Sequence, residues 1–255
     1  FWVLPDLLPA LHAGDGLFRT TDSVPNHRNG LAMALRMKEF GWSAWQFRPE
    51  GQSTQGLAAA LYYLFAPKPW VFIPLNAMLH ATAGIVLILV LASLVPLRFA
   101  ILGAIPFVFF PTAAFWYSQI LRDGYSCLGY FSILLGWCRF GSTIQKRLPS
   151  DQRRGYYGDL LKAFAWVLFG GSIIWVGRPY QLVVIAQLAI IGAFPFLVVQ
   201  FFRWRAQKAG LVDQVATTVL LFLTIGTLLK FPDSDFGGGP PPYVFVEARA
   251  KEYIK

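Results

Sequence analysis

Charge is what this chain has least of. Asp, Glu, Lys and Arg together make up 14% of 255 residues, where a soluble domain carries roughly a quarter. That excludes an ordinary water-soluble globule. Acid is scarcer still, with 13 Asp and Glu against 22 Lys and Arg, a formal net charge of +9. There are two cysteines, Cys127 and Cys138, both inside one apolar run. They read as small buried hydrophobes, which excludes a disulfide scaffold or a thiolate metal site. The three histidines are scattered at His12, His27 and His80 and offer no ligand spacing. No internal repeat is present, and no cleavable signal peptide is visible, which leaves open a start that lies upstream.

What the chain has in quantity is apolar surface. Hydrophobic residues are 56% of it, mean hydropathy is +0.50, and aromatics reach 16% with nine Trp. Trp at that level fits anchoring at two water–lipid interfaces. The expected fold class is therefore an all-α integral membrane protein of about six to seven transmembrane helices. Stretches of about 20 apolar residues fall at 70–96, 99–121, 124–141, 159–177, 180–202 and 212–230. Phe1 to about Ala13 reads as the end of a further span cut short. The division expected is a polytopic membrane domain over 1–230 and an outer-side linker over 231–255. That linker carries Gly237-Gly238-Gly239-Pro240-Pro241-Pro242 and reads as the start of a truncated C-terminal region.

Placement of the basic residues sets the orientation. Arg139, Lys146, Arg147, Arg153 and Arg154 follow one span, and Arg203, Arg205 and Lys208 follow another. Both loops face the cytoplasm by the positive-inside rule, so the net charge belongs to membrane topology and not to nucleic acid. By alternation the long first loop, about 14–69, lies outside together with Arg122-Asp123 and Gly177-Arg178-Pro179. Within that loop Leu31, Leu35 and Phe40 recur at near-helical spacing opposite Arg28, Arg36, Lys38 and Glu39. This predicts an amphipathic helix over Asn29–Phe40 that lies on the membrane surface. A second short helix is expected over Gln55–Phe65.

The outer face collects the polar residues of interest. Asp15, Asp22, His27, Arg28 and Arg48 lie in the loop, and Arg122-Asp123 and Arg178-Pro179-Tyr180 lie at two span mouths. Several Arg beside a carboxylate at a membrane surface suit a lipid phosphate, since Arg contacts phosphate oxygens bidentately. A carboxylate there can act as a general base. Each residue also has a plainer reading. Arg122-Asp123 can be a local ion pair capping the helix that follows, and Arg178 an interfacial arginine with a snorkelling side chain. Asp22 and Asp15 can be turn or N-cap residues, and His27 and Arg48 solvated loop residues. His80, four residues after Asn76, reads as a helix-packing contact.

The order of these features resembles the C-fold glycosyltransferases, multi-spanning enzymes that use lipid-linked sugars, in their protein-mannosyltransferase-like bacterial branch. The resemblance covers roughly 15–200. It rests on Asp22, then Leu31-Ala32-Met33-Ala34-Leu35, Gly41-Trp42, Arg48-Pro49, Gly56 to Phe65 and Asn76-Ala77, then Phe110-Pro111, Trp116-Tyr117-Ser118, Leu121-Arg122-Asp123 and Arg178-Pro179-Tyr180. It implies that Asp22 is the catalytic base, with Asp15 a weaker candidate. It implies that Arg122 and Asp123 contact or support the lipid phosphate.

The expected activity is transfer of a sugar from a polyprenyl-phosphate donor to an acceptor hydroxyl on the periplasmic face of a bacterial inner membrane. Asp22 is the expected base. Arg122, Asp123, Arg178, Tyr180, His27, Arg28 and Arg48 are the expected substrate-binding residues. No cofactor and no tightly bound metal are expected, since one or two outer carboxylates make a poor cage for a divalent cation. The partners expected are membrane lipid, the sugar donor and other membrane subunits. The alternative is a non-catalytic membrane scaffold subunit of a larger complex, resting on Ser23 following Asp22 where the family carries an acidic pair. A transporter is disfavoured because no repeated halves accompany the broken helices.

Overall fold

The computed structural model describes Asp6, residues 9–19, 22–49, 53–110, 117–145, 153–178, Gln181, Val215 and 217–219. Among these the fold is all-α. The elements are α1 (Ser23–Phe40), α2 (Ser53–Leu64), α3 (Ile73–Ala92), α4 (Leu97–Phe109), α5 (Asp123–Gln145) and α6 (Arg153–Gly177). The 3-10 turns Pro9–Leu11, Gly41–Ala44 and Pro69–Phe72 lie between or before them. Strand geometry among the described residues is limited to one antiparallel bridge, His12 to Phe18.

Proline sets several of the boundaries. Pro69 opens the turn that runs into α3, and Pro96 precedes α4, positions where a missing N–H is harmless. Phe110 is extended at φ −64°, ψ 129°, as the residue before Pro111 must be. Within its described part, the apolar stretch expected as a span over 99–121 is helical up to Phe109 and at Tyr117, and 118–122 is non-helical.

Two helices are long and apolar enough to cross a membrane by length and composition, Pro69–Ala92 (α3 with its leading turn) and Gly155–Gly177 of α6. The stretch expected over 124–141 is helical as α5, which is long enough at 23 residues. It is less apolar, carrying Ser126, Ser132, Arg139 and Thr143. Of Phe1–Ala13, Asp6 is helical, and 9–13 hold a 3-10 turn and the start of the bridge. The stretches at 180–202 and 212–230 lie almost wholly outside the described residues, as does the linker over 231–255.

α5 and α6 form an antiparallel hairpin whose helices meet at glycines. A Cβ on Gly170 would stand 2.5 Å from the Gly129 carbonyl oxygen and 2.8 Å from Ile133 Cγ1. Only the absence of a side chain lets the two backbones approach so closely. Below this contact Phe140, Ile144, Leu160, Ala163 and Val167 pack together, and Leu79, Ala83, Val86 and Val90 of α3 close on Tyr125, Leu128 and Leu135 of α5. α4 packs on α3 through its small residues. Ala100 and Ala104 are buried while Leu97, Phe99, Ile101, Leu102, Ile105 and Phe109 point outward.

α1 and α2 form a second hairpin across one end of this bundle. The helix expected over Asn29–Phe40 begins six residues earlier, at Ser23. Its buried stripe is Ser23, Asn26, Gly30, Met33, Ala34 and Met37, against Ala58, Ala59 and Tyr62 of α2. Leu35 and Phe40 lie outside that stripe and are exposed. The reason is steric: a Cβ on Gly30 would lie 2.9 Å from Ala58 Cβ, so the close helix pair forms on the small-residue face. α2 runs close to the Gln55–Phe65 expected of it.

Candidate functional site

Four ends converge where the α1–α2 hairpin meets the bundle: the N-termini of α1 and α5, the C-terminus of α6, and the non-helical segment before α5. That segment is deeply buried, with Gln119 and Ile120 almost without solvent exposure. Buried backbone polar groups must find partners, and here three amide side chains supply them. Asn76 Nδ2 of α3 donates to the Gln119 carbonyl at 2.5 Å, and Asn26 Nδ2 of α1 donates to the Ile120 carbonyl at 3.0 Å. The Gln119 amide itself accepts from Phe18 N at 3.1 Å and donates to the Gly16 carbonyl at 3.2 Å. The segment is thereby tied to α1, to α3 and to the 9–19 hairpin.

Held there, Arg122 and Asp123 point to two different helices. Arg122 Nη2 lies 3.5 Å from Asp22 Oδ2 at the start of α1, and Arg178 Nη2 at the end of α6 donates to Asp123 Oδ1 at 2.8 Å. In both pairs the cation is the deeper partner. The side chains of Arg122 and Arg178 are 14% and 22% exposed, against 45% and 37% for Asp22 and Asp123. The four charges balance, and the two carboxylates are the partners nearer to solvent, with the two guanidinium groups behind them. Arg178 Nε is buried without a hydrogen-bond partner among the described residues.

Asp22 occupies the N-cap position of α1, yet its carboxylate makes no capping hydrogen bond there. Its recorded ion pair reaches across the chain to Arg122. Asp123 does lie in the first turn of α5, where a negative charge suits the helix dipole.

A second polar group lies on the α1–α2 layer. His27 Nδ1 is 2.8 Å from Tyr62 Oη, and the two rings meet edge to face. Burial holds the His27 imidazole below its ordinary value of 6.5, with Asp15 opposing that shift and Lys68 adding to it. Burial, with Asp15 adding to it, pushes the Tyr62 phenol well up, so it stays protonated. Asp15 stands at φ 49° between Gly14 and Gly16, also at positive φ, and pairs with Lys68 at 3.1 Å. Asp is among the residues that tolerate this backbone region best. Asp15 thus belongs to this second group and pairs with neither Arg122 nor Arg178.

Arg48 is not a solvated loop residue. Its guanidinium stacks 3.9 Å from the Trp175 ring centroid and donates to the Trp175 carbonyl, while Ser53 Oγ donates to the Val176 carbonyl. These contacts bind the start of α2 to the end of α6 one turn from Arg178. Arg28 is exposed on the outer side of α1. Tyr180 lies outside the described residues; close by, Gln181 Oε1 accepts from Ser126 Oγ at 2.7 Å. His80 Nε2 is 3.1 Å from the Val108 carbonyl and packs against Phe107 and Tyr117, a contact between helices. Among the described residues no three His, Cys, Asp or Glu side chains gather as a metal site.

Asn26, Gln119 and Ser53 do not stand out in the sequence as site residues. A signal was present for Gln119: an amide at the end of a strongly apolar run must be paid back by a partner. Comparison of the chain with protein-family models, with curated proteins and with solved structures returns no match.

Proposed function

We propose that this protein is a multi-spanning membrane glycosyltransferase that moves a sugar from a polyprenyl-phosphate donor to an acceptor hydroxyl. The reaction takes place on the periplasmic face of a bacterial inner membrane, with the basic loops cytoplasmic. The observation that carries this reading is the chain Asp22–Arg122–Asp123–Arg178, which brings two carboxylates and two more deeply set guanidiniums to one end of an apolar bundle.

The membrane setting is supported by α4, which buries alanines and turns Phe99, Ile101, Leu102 and Ile105 outward. Such a surface is an aggregation hazard in water and ordinary in lipid. Further spans beyond α3 and α6 come from the apolar stretches of the sequence. Positive-inside orientation then puts the N-terminus of α5 and the C-terminus of α6 outside.

In the proposed step the acceptor oxygen attacks the anomeric carbon of the donor sugar. The bond from that carbon to the phosphate oxygen breaks, and polyprenyl phosphate leaves with the bonding pair. The acceptor proton passes to the Asp22 carboxylate. Arg122 and Arg178 stabilise the charge growing on the phosphate, the larger contribution to rate, and Asp123 orients Arg178. Asp22→Asn protein, reconstituted in liposomes with a polyprenyl-phosphate sugar, is expected to lose about a hundredfold or more in transfer rate. Full activity of that variant would overturn the assignment of the base.

A further inference from the structure

The start of α2 lies between the two ion pairs. Ser53 Oγ donates to the Val176 carbonyl, two residues before Arg178, and Gln55 Nε2 reaches Asn26 Oδ1 at 3.5 Å. Asn26 in turn donates its backbone N–H to the Asp22 carbonyl at 3.0 Å, and its side chain donates to the Ile120 carbonyl, two residues before Arg122. Residues 53–55 therefore bridge the end of α6 that carries Arg178 and the end of α1 that carries Asp22.

Two side chains of this bridge are left unserved. Thr54 and Gln55 are 1% and 4% exposed, yet Thr54 Oγ1 and Gln55 Oε1 have no hydrogen-bond partner among the described residues. Asn26 sets the direction of the Gln55 amide. Its Nδ2 is committed to the Ile120 carbonyl, so its Oδ1 takes the Nε2 end of Gln55, and Gln55 Oε1 is turned away. A buried polar atom without a partner forfeits its hydration, and here two consecutive residues do so. Arg178 Nε, a donor, is a third such atom at the same end. A phosphate cannot serve this set, because a side-chain amide oxygen only accepts. A hydroxyl, which both donates and accepts, can serve all three.

Resting on the glycosyltransferase reading, we propose that Thr54 and Gln55 read the hydroxyl groups of the donor sugar and so set its specificity, beside the arginines assigned to the phosphate. One sugar hydroxyl donates to Gln55 Oε1, and a second pairs with Thr54 Oγ1. Both atoms are closed to solvent, so the first turn of α2 moves off α1 to admit the sugar. A site built to bond a hydroxyl rejects the analogue that lacks it, because its own polar atoms are then left unpaired.

The test is the gain in affinity that a sugar confers, measured with detergent-purified protein. Short isoprenyl phosphates carrying glucose, mannose, galactose or arabinose are compared with the sugar-free isoprenyl phosphate. At least one sugar is expected to tighten binding. Thr54→Val, which keeps the shape, and Gln55→Met are each expected to reduce that gain about two- to tenfold, the size of one hydrogen bond. Both leave the sugar-free phosphate unchanged. Thr54→Ser keeps the hydroxyl and is expected to keep the gain. Thr54→Val is also expected to raise the unfolding midpoint of the protein alone, because it removes an unserved buried hydroxyl.

A gain that survives either Thr54→Val or Gln55→Met overturns the sugar site and leaves the phosphate site standing, as does the absence of any gain in the unaltered protein. Equal loss of the sugar-free phosphate would show that the two residues support the phosphate end, which also overturns the proposal. An unchanged or lower midpoint for Thr54→Val overturns it too, since a structural partner such as an ordered water then already serves the hydroxyl. If no lipid phosphate binds, with or without sugar, the glycosyltransferase reading fails along with it.

Discussion

Asn26 of α1 donates its side-chain amide to the Ile120 carbonyl at 3.0 Å, across 94 residues of sequence. This bond and its counterpart from Asn76 determine where Arg122 and Asp123 stand, because the segment before them has no helix or strand of its own to hold it. The site is therefore only as rigid as three buried amides.

The first consequence concerns Gln119. Replacing it by Leu keeps the volume but leaves Phe18 N and the Gly16 carbonyl without this partner. A loss of about 1–3 kcal/mol is expected, seen as a lower unfolding midpoint in detergent. Hydrogen exchange at 9–19 is expected to rise before exchange elsewhere. Uniform exchange across the chain would show that the hairpin is not held by this residue.

The α5–α6 contact predicts a contrast between two glycines. Gly170→Ala forces a methyl against the Gly129 backbone, 2.5 Å from its carbonyl oxygen, and is expected to cost about 1–3 kcal/mol. Gly158→Ala on the same helix meets no atom within 4 Å and is expected to stabilise by up to about 1 kcal/mol. Equal effects of the two would refute close packing at Gly129.

The unequal ion pairs predict unequal coupling. A double-mutant cycle with Asp123→Asn and Arg178→Gln is expected to give a coupling near ~1 kcal/mol, and one with Asp22→Asn and Arg122→Gln about half of that. The reverse order in unfolding measurements would make Asp22–Arg122 the stronger pair.

Burial of His27 predicts a pH dependence of its own. The folded imidazole titrates below 6.5 and the unfolded one near it, so the unfolded state takes up the proton first. Stability attached to His27 is complete above pH 6.5 and is lost as pH falls from there through the lower folded value. His27→Gln is expected to flatten that part of the profile of unfolding midpoint against pH. An unchanged profile would assign the acid sensitivity to other groups.

The membrane setting has a direct test at Ile85, exposed on α3 within Pro69–Ala92. In water Ile85→Arg would improve solubility. In lipid it costs about 2.5–3.5 kcal/mol at mid-span, so membrane-integrated protein resistant to carbonate extraction is expected to fall. Unchanged integration with improved solubility would place this face in water.

Helix positions were largely legible from apolar runs and proline, because both act locally. α3, α5 and α6 begin or end within a few residues of the expected stretches, and α2 nearly coincides with its expected range. α1 is instructive. Its apolar residues marked an amphipathic helix, but the face that packs on α2 follows from the close approach of Gly30 to Ala58, and periodicity of hydrophobicity says nothing about backbone distance. The end of α4 was missed because hydropathy runs on past Pro111 while the helix ends at Phe109 and Phe110 is extended.

By itself the sequence determined an apolar all-α chain with its few charges gathered near helix ends, since composition and proline act through local physics. It could name Asp22, Arg122, Asp123 and Arg178, but not their pairing. Only the tertiary structure decided that Arg122 faces Asp22 and Asp123 faces Arg178. Those partners lie 100 and 55 residues apart, and what joins them is the clamp of Asn26, Asn76 and Gln119, a set of long-range hydrogen bonds that no local pattern encodes.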